Sequence, residues 1–102
     1  MRKAKKTNEL LQHEQGHLDL LVLCTRALAT ELESLEALSA GSLVEQIQTV
    51  STKHDERAEA IDAAYDEKTE HSRNKAAQLT WDKAIADAMG DPKCSALLGM
   101  PL

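Results

Sequence analysis

The chain has 102 residues and a formal net charge of −5, and 42% of its residues are hydrophobic, but it holds one Trp, one Tyr and no Phe. Ala and Leu supply most of the apolar mass, and together with many Glu, Lys and Gln they favour helices over sheets. These values exclude more than one domain, make nucleic acid a poor partner for this acidic chain, and leave no stretch apolar enough to span a bilayer.

The first predicted element is a helix over about residues 7–39. Its apolar residues recur at the three- and four-residue spacing that places them on one helix face. Gly41 follows, and a glycine can take the left-handed conformation that closes a helix. We therefore expect the first helix to end just before this glycine.

A second helix is predicted to begin at Ser42, because Ser42 and Glu45 form a capping box. Its apolar stripe continues without Gly or Pro as far as Gly90. The pattern therefore predicts one very long helix over about residues 42–89.

A third, short helix is predicted over about residues 92–98, because Asp91-Pro92 combines a cap with a first-turn proline. No segment has the alternating pattern of a strand. The predicted fold class is all-α: a long antiparallel helical hairpin with a short C-terminal helix and no sheet, in a single domain over residues 1–102.

The short loop between the two long helices fixes which residues face each other. Facing residue numbers should sum to about 82, within roughly one helical turn. His17 then lies opposite Tyr65 and His13 lies opposite Thr69. The register therefore predicts that the segment 65–71 covers the turn from His13 to His17.

The same register leaves residues beyond about 81 without a partner on the first helix. That end must fold back, bind another copy of the chain, or pack on chain that is absent from this sequence. If it binds another copy, we expect a homodimer through the end of the second helix, at Trp81, Ile85 and Met89.

The sequence His13-Glu14-Gln15-Gly16-His17 fits the HExxH pattern of zinc metalloproteases. Side chains four residues apart lie on one helix face, so His13 and His17 can bind one zinc ion. Glu14 lies about 100° around the helix, where it can act as general base toward a zinc-bound water without being a ligand. The alternative is a surface helix with two solvated histidines.

A catalytic zinc site needs a third protein ligand and an open position for water. We choose His71, which lies on a mostly polar strip of the second helix. The alternative is that His71 is simply an exposed histidine on a charged face. Tyr65 can donate a hydrogen bond to an oxyanion, or be a core tyrosine. The other candidates for the third ligand are Glu67, Glu70 and Asp66.

Two segments together resemble a known family. They are LQHEQGHLD at residues 11–19 and YDEKTEHS at residues 65–72, the latter followed by Gln78 and Trp81. The family consists of bacterial, mostly secreted or periplasmic, predicted zinc-dependent proteases, with an HEQGH-F-D helix and a Tyr-Asp-x-x-Thr-x-His-Gly/Ser segment about fifty residues later. The resemblance covers about residues 8–85.

The resemblance implies a zinc site and a strand-rich segment before the HEQGH helix, and that segment is missing from this sequence. Zinc proteases commonly hold substrate along a sheet edge, so we expect metal binding to persist while peptide hydrolysis is weak or absent. The site residues that it implies are His13 and His17 as zinc ligands, Glu14 as base, His71 as third ligand, and Tyr65 or Asp66 near the metal.

The predicted function is a zinc-dependent, metalloprotease-like hydrolase acting on a peptide or protein substrate. The alternative is a catalytically silent helical module that binds metal or another protein. The family resemblance suggests a periplasmic or secreted location, whereas the sequence as written has no signal peptide and predicts a cytoplasmic one.

Overall fold

The computed structural model describes residues 2–36 and 38–102. Within these ranges the chain is mostly helical, as predicted, but it also contains a small antiparallel sheet, so the prediction of no sheet is wrong. None of the helices in these ranges combines the length and the apolar character needed to cross a membrane. The elements are α1 (Arg2–Glu33), α2 (Ala40–Thr69), α3 (Lys75–Met89), β1 (Ala96–Leu97) and β2 (Met100–Pro101).

The connection between α1 and α2 differs from the predicted capping box. Ser39, in an extended conformation, is the N-cap of α2, and its hydroxyl accepts a hydrogen bond from the Ser42 backbone at 3.1 Å. Gly41 therefore lies inside the first turn of α2 rather than closing α1. Helix α1 ends at Glu33, six residues before the predicted end at 39.

The predicted second helix is broken after Thr69, so the long hairpin is also wrong. Glu70, His71 and Ser72 all have positive φ, at 50°, 56° and 82°. Such left-handed backbone is unfavourable for residues other than glycine, and no Gly or Pro marks the break in the sequence. Asn74 then starts α3, its side chain accepting a hydrogen bond from the Ala77 backbone at 3.0 Å.

Helix α3 folds back onto α1 and α2, which is one of the outcomes expected for the unpaired end. Trp81 is 5% exposed and its ring centroid lies 5.4 Å from that of Tyr65. Ile85 is also buried, whereas Met89 is 38% exposed. Two of the three residues expected to form a homodimer interface are therefore covered within the chain itself.

A β-hairpin occupies the place of the predicted helix over residues 92–98. Leu98 and Gly99 connect its strands with φ angles of 48° and 83°, the positive pair that a type I′ turn requires. Leu97 and Leu102 are buried on the core that also contains Ala88. Burial of these two leucines fixes the hairpin, although its strands are too short to show a period in the sequence.

An ion cluster ties α1 to α2 at the end remote from the HExxH turn. Glu31 accepts hydrogen bonds from Lys53 at 2.6 Å and from His54 at 2.9 Å. The hydrogen bond from Lys53, followed by that from His54, holds the pKa of Glu31 below its ordinary value. The cluster fixes the register of the two helices near their connection.

Candidate metal centre

The two HExxH histidines lie on the face of α1 that packs against the end of α2. The ring of Tyr65 stacks on His13, with centroids 4.6 Å apart, and meets the ring of His17 edge-on at 4.9 Å. This arrangement confirms the predicted register, which placed the segment 65–71 over the HExxH turn.

Nitrogen and oxygen atoms from three segments converge at this point. The Nε2 atoms of His13 and His17 both lie 2.8 Å from the same oxygen, Oδ1 of Asp66. His71, from the left-handed turn after α2, has its Nδ1 atom 3.6 Å from that oxygen. His13 is buried, while 67% of the His71 side chain is exposed, so the cluster extends from the core to the surface.

The other ring nitrogen of each HExxH histidine is held by an acceptor. His13 Nδ1 lies 2.9 Å from Gln78 Oε1, and His17 Nδ1 lies 2.5 Å from Asp62 Oδ1. An amide oxygen and a carboxylate oxygen accept only, so both Nδ1 atoms carry hydrogen. Each Nε2 faces the Asp66 carboxylate, so it donates to Asp66 when the ring carries a second proton and offers a lone pair to a metal ion when the ring is neutral.

The orientation of the Gln78 side chain is fixed by its remaining hydrogen bonds. Its Nε2 donates to Asp82 Oδ1 at 2.9 Å and to Tyr65 Oη at 2.8 Å. Because the carboxylate of Asp82 can only accept, the amide nitrogen must face it and the amide oxygen must face His13. Asp82 thus determines, through Gln78, which nitrogen of His13 keeps its lone pair.

When both rings are neutral, His13 Nε2, His17 Nε2 and Asp66 Oδ1 are three acceptor atoms that face one another. Such a group requires positive charge between its members, either protons or a metal ion. Burial opposes ionisation of Asp66, yet its hydrogen bonds to His13 and His17 hold its pKa below the ordinary value. Burial likewise opposes the charging of His17, but its hydrogen bonds to Asp62 and Asp66 raise its pKa overall. The site therefore favours a carboxylate beside positive charge.

The donor set fits a zinc ion. Imidazole nitrogen and carboxylate oxygen are common zinc ligands, and the ligand atoms of a tetrahedral zinc ion lie about 3.3 Å apart. The separations to Asp66 Oδ1, 2.8, 2.8 and 3.6 Å, bracket that value. Glu14 is exposed, and one of its carboxylate oxygens lies within 4.8 Å of a donor nitrogen on each of His13 and His17.

Tyr65, which the sequence left open as an oxyanion donor or a core tyrosine, lies in the core beneath α1. It is fully buried, burial raises its pKa, and its hydroxyl donates to the backbone oxygen of His13 at 2.8 Å. Gly16 makes this approach possible, because a Cβ atom there would lie 2.0 Å from the Tyr65 hydroxyl. The hydroxyl proton is thus committed to α1 rather than to a substrate.

Sequence reasoning missed the residues that hold the two imidazoles. The register would have placed Asp62 about one turn from the position facing His17, which was a usable signal. Gln78 belongs to the segment that carried the family resemblance but was given no role, and Asp82 had no signal at all. Both lie on α3, whose fold-back depends on the unmarked break after α2.

A groove of about 560 Å³ leads away from Glu14 and His17 between α1 and α2. Its floor is apolar and its rim is acidic. Its lining residues on α1 are Glu14, His17, Leu18, Leu20, Leu21 and Cys24, and those on α2 are Ala58, Glu59, Ile61 and Asp62.

Comparison with known proteins identifies the family. The family described as a bacterial protein of unknown function (DUF922) matches residues 3–72, and the chain belongs to it. No curated protein and no solved structure matches the chain. The match is compatible with the bacterial family suggested by the HEQGH and YDEKTEHS segments, and it names no activity.

Proposed function

We propose that this member of DUF922 is a zinc-dependent, peptidase-like hydrolase in which His13 and His17 are two of the zinc ligands. The observation that carries the proposal is the convergence of their Nε2 atoms on Asp66 Oδ1, while acceptors hold both Nδ1 atoms. Histidines that bind a metal ion through one ring nitrogen almost always donate the other N–H to a fixed acceptor, as both histidines do here.

His71 is our choice for the third ligand. Three consecutive residues with positive φ hold it beside the cluster, and such strained backbone concentrates at functional sites. Asp66 is the alternative, because its oxygen contacts both imidazoles. The variants His71→Ala and Asp66→Asn distinguish the two. Replacing the residue that binds zinc should lower the zinc affinity far more than replacing the other.

Bound zinc would supply a water molecule with a pKa near 7. Glu14 would be the carboxylate that holds the proton released by this water and returns it to the leaving amine, as a carboxylate beside an HExxH pair can do. Asp62 and Gln78 hold the two imidazoles in their binding orientation. Tyr65 anchors the His13 backbone, so we assign it a positioning role in place of a hydrogen bond to the oxyanion.

The test combines zinc content with hydrolysis of a peptide library. We expect about one zinc per chain in the purified protein and loss of this zinc in His13→Ala. Glu14→Gln should keep the zinc but lose hydrolysis, whereas Glu9→Gln, an exposed glutamate on the same helix, should change neither. Hydrolysis that survives Glu14→Gln would refute the catalytic role.

A protein that retains zinc in both glutamine variants but hydrolyses no peptide would be the predicted alternative, a catalytically silent metal-binding module. A folded protein that takes up no zinc when the metal is supplied would refute the metal centre itself.

A further inference from the structure

We infer that the groove between α1 and α2 binds the part of a substrate peptide that carries an apolar side chain next to basic ones. This inference rests on the proposed function, because the groove begins at Glu14 and His17. It adds a substrate class, which neither the family match nor the HExxH pattern supplies.

The groove is long enough for a short peptide. On α1 it runs from Glu14 to Cys24, ten residues of helix or about 15 Å. An extended chain rises about 3.3 Å per residue, so this length holds roughly four residues. The groove therefore accommodates one side of a cleaved peptide while the bond to be cut lies at the metal centre.

Its floor and one wall are apolar. Leu20 and Ile61 are buried beneath it, whereas Leu18 and Leu21 are 57% and 60% exposed on the α1 side. Two exposed leucines three residues apart lie on one helix face and form a continuous apolar wall. An apolar substrate side chain would cover them and gain the hydrophobic free energy of that burial.

Its rim is acidic. Glu14, Glu59 and Asp62 line the groove, and no Lys or Arg is among the described residues that line it. Asp62 is already bonded to His17, so Glu59, which is exposed, is the carboxylate best placed to meet a substrate. A basic peptide complements this rim and an acidic peptide is repelled by it.

The experiment measures binding separately from cleavage. The protein is the zinc-loaded Glu14→Gln variant, and the probes are fluorescein-labelled Gly-Leu-Leu-Lys-Lys and Gly-Leu-Leu-Glu-Glu, followed by fluorescence anisotropy at low salt. We expect the basic peptide to bind roughly threefold to tenfold more tightly, the range for one or two exposed ion pairs.

Two added substitutions test the groove directly. Glu59→Lys should remove the preference for the basic peptide, whereas Glu45→Lys makes the same charge change about 21 Å further along α2 and should alter it less than twofold. Leu18→Ser should weaken binding of both peptides. Equal binding of the two peptides, or a preference that survives Glu59→Lys, would overturn the inference.

The two proposals fail in different ways. If the charge preference is present but the unchanged protein cleaves no member of the peptide library, the groove stands and the hydrolase does not. If the protein cleaves peptides with no dependence on charge or on Leu18, the hydrolase stands and the groove does not.

Discussion

Replacing Gln78 by methionine should weaken zinc binding while keeping the volume of the side chain. Gln78 bonds to His13, Tyr65 and Asp82, at 2.9, 2.8 and 2.9 Å. Methionine removes all three hydrogen bonds and fills nearly the same space. The ring of His13 then loses the acceptor that fixes its tautomer.

The size of the effect follows from burial. His13 is 3% exposed, so its Nδ1–H would be left without a partner in a dry environment. An unsatisfied buried donor costs about 1–3 kcal/mol, which we expect as a loss in the free energy of unfolding of the metal-free protein. Removing an outer partner of a metal-binding histidine lowers metal affinity by roughly tenfold to a hundredfold.

Zinc affinity can be measured by competition with a chelating dye, and stability by urea unfolding. Gln48→Met, at an exposed position on α2, is the matched control and should change neither value. Asp82→Asn keeps an oxygen for the Gln78 amide and should preserve affinity, whereas Asp82→Ala should lower it severalfold. Zinc affinity within twofold of the unchanged protein in Gln78→Met would refute this chain of hydrogen bonds.

Three further predictions concern stability, each measured by urea unfolding. Gly16→Ala should cost about 1–3 kcal/mol, because the new Cβ overlaps the tyrosine hydroxyl 2.0 Å away. Glu31→Gln should remove a stabilisation that is present above about pH 4.5 and is lost as the pH falls through the lowered pKa of Glu31. Glu70→Gly should stabilise the protein by about 1 kcal/mol, since φ is 50° at this helix end.

Each of these has a control of opposite or no effect. Gly41→Ala meets nothing within 4 Å and should stabilise α2 by about 0.5–1 kcal/mol. Glu45→Gln, at an exposed position, should retain the acid-dependent loss that Glu31→Gln lacks. Glu67→Gly, inside α2, should destabilise by about 1 kcal/mol. If Glu70→Gly and Glu67→Gly changed the free energy of unfolding in the same direction, the reasoning would be contradicted. Unchanged acid sensitivity in Glu31→Gln would also contradict it.

The sequence was sufficient to predict that the chain is mostly helical and which residues of the first two helices face each other. Helical periodicity is strong in α1, and a short connection allows only an antiparallel return. These two facts bring His13 and His17 beneath the segment 65–71 without any knowledge of the family. The register holds to within about one helical turn, although α1 ends at Glu33, because the connection still lies close to its predicted place in the sequence.

The break between α2 and α3 could not be predicted, because no Gly or Pro marks it. Three residues with positive φ lie at the break, and the fold-back that follows it buries Trp81 and Ile85, a tertiary gain that local propensity does not contain. The hairpin at residues 96–101 was missed for a similar reason. Its two-residue strands are held by the burial of Leu97 and Leu102 rather than by a strand pattern.

The left-handed turn that carries His71 also determines how a bound cation would restrict the motion of the three helices. A cation held by α1 and by residue 71 would cross-link segments about sixty residues apart in sequence, and closing so large a loop removes much freedom from the unfolded chain. Because Gln78 connects α3 to His13 at the same centre, a bound ion would stabilise the packing of all three helices. Chelation should therefore raise amide exchange in α3 as well as at the ligands.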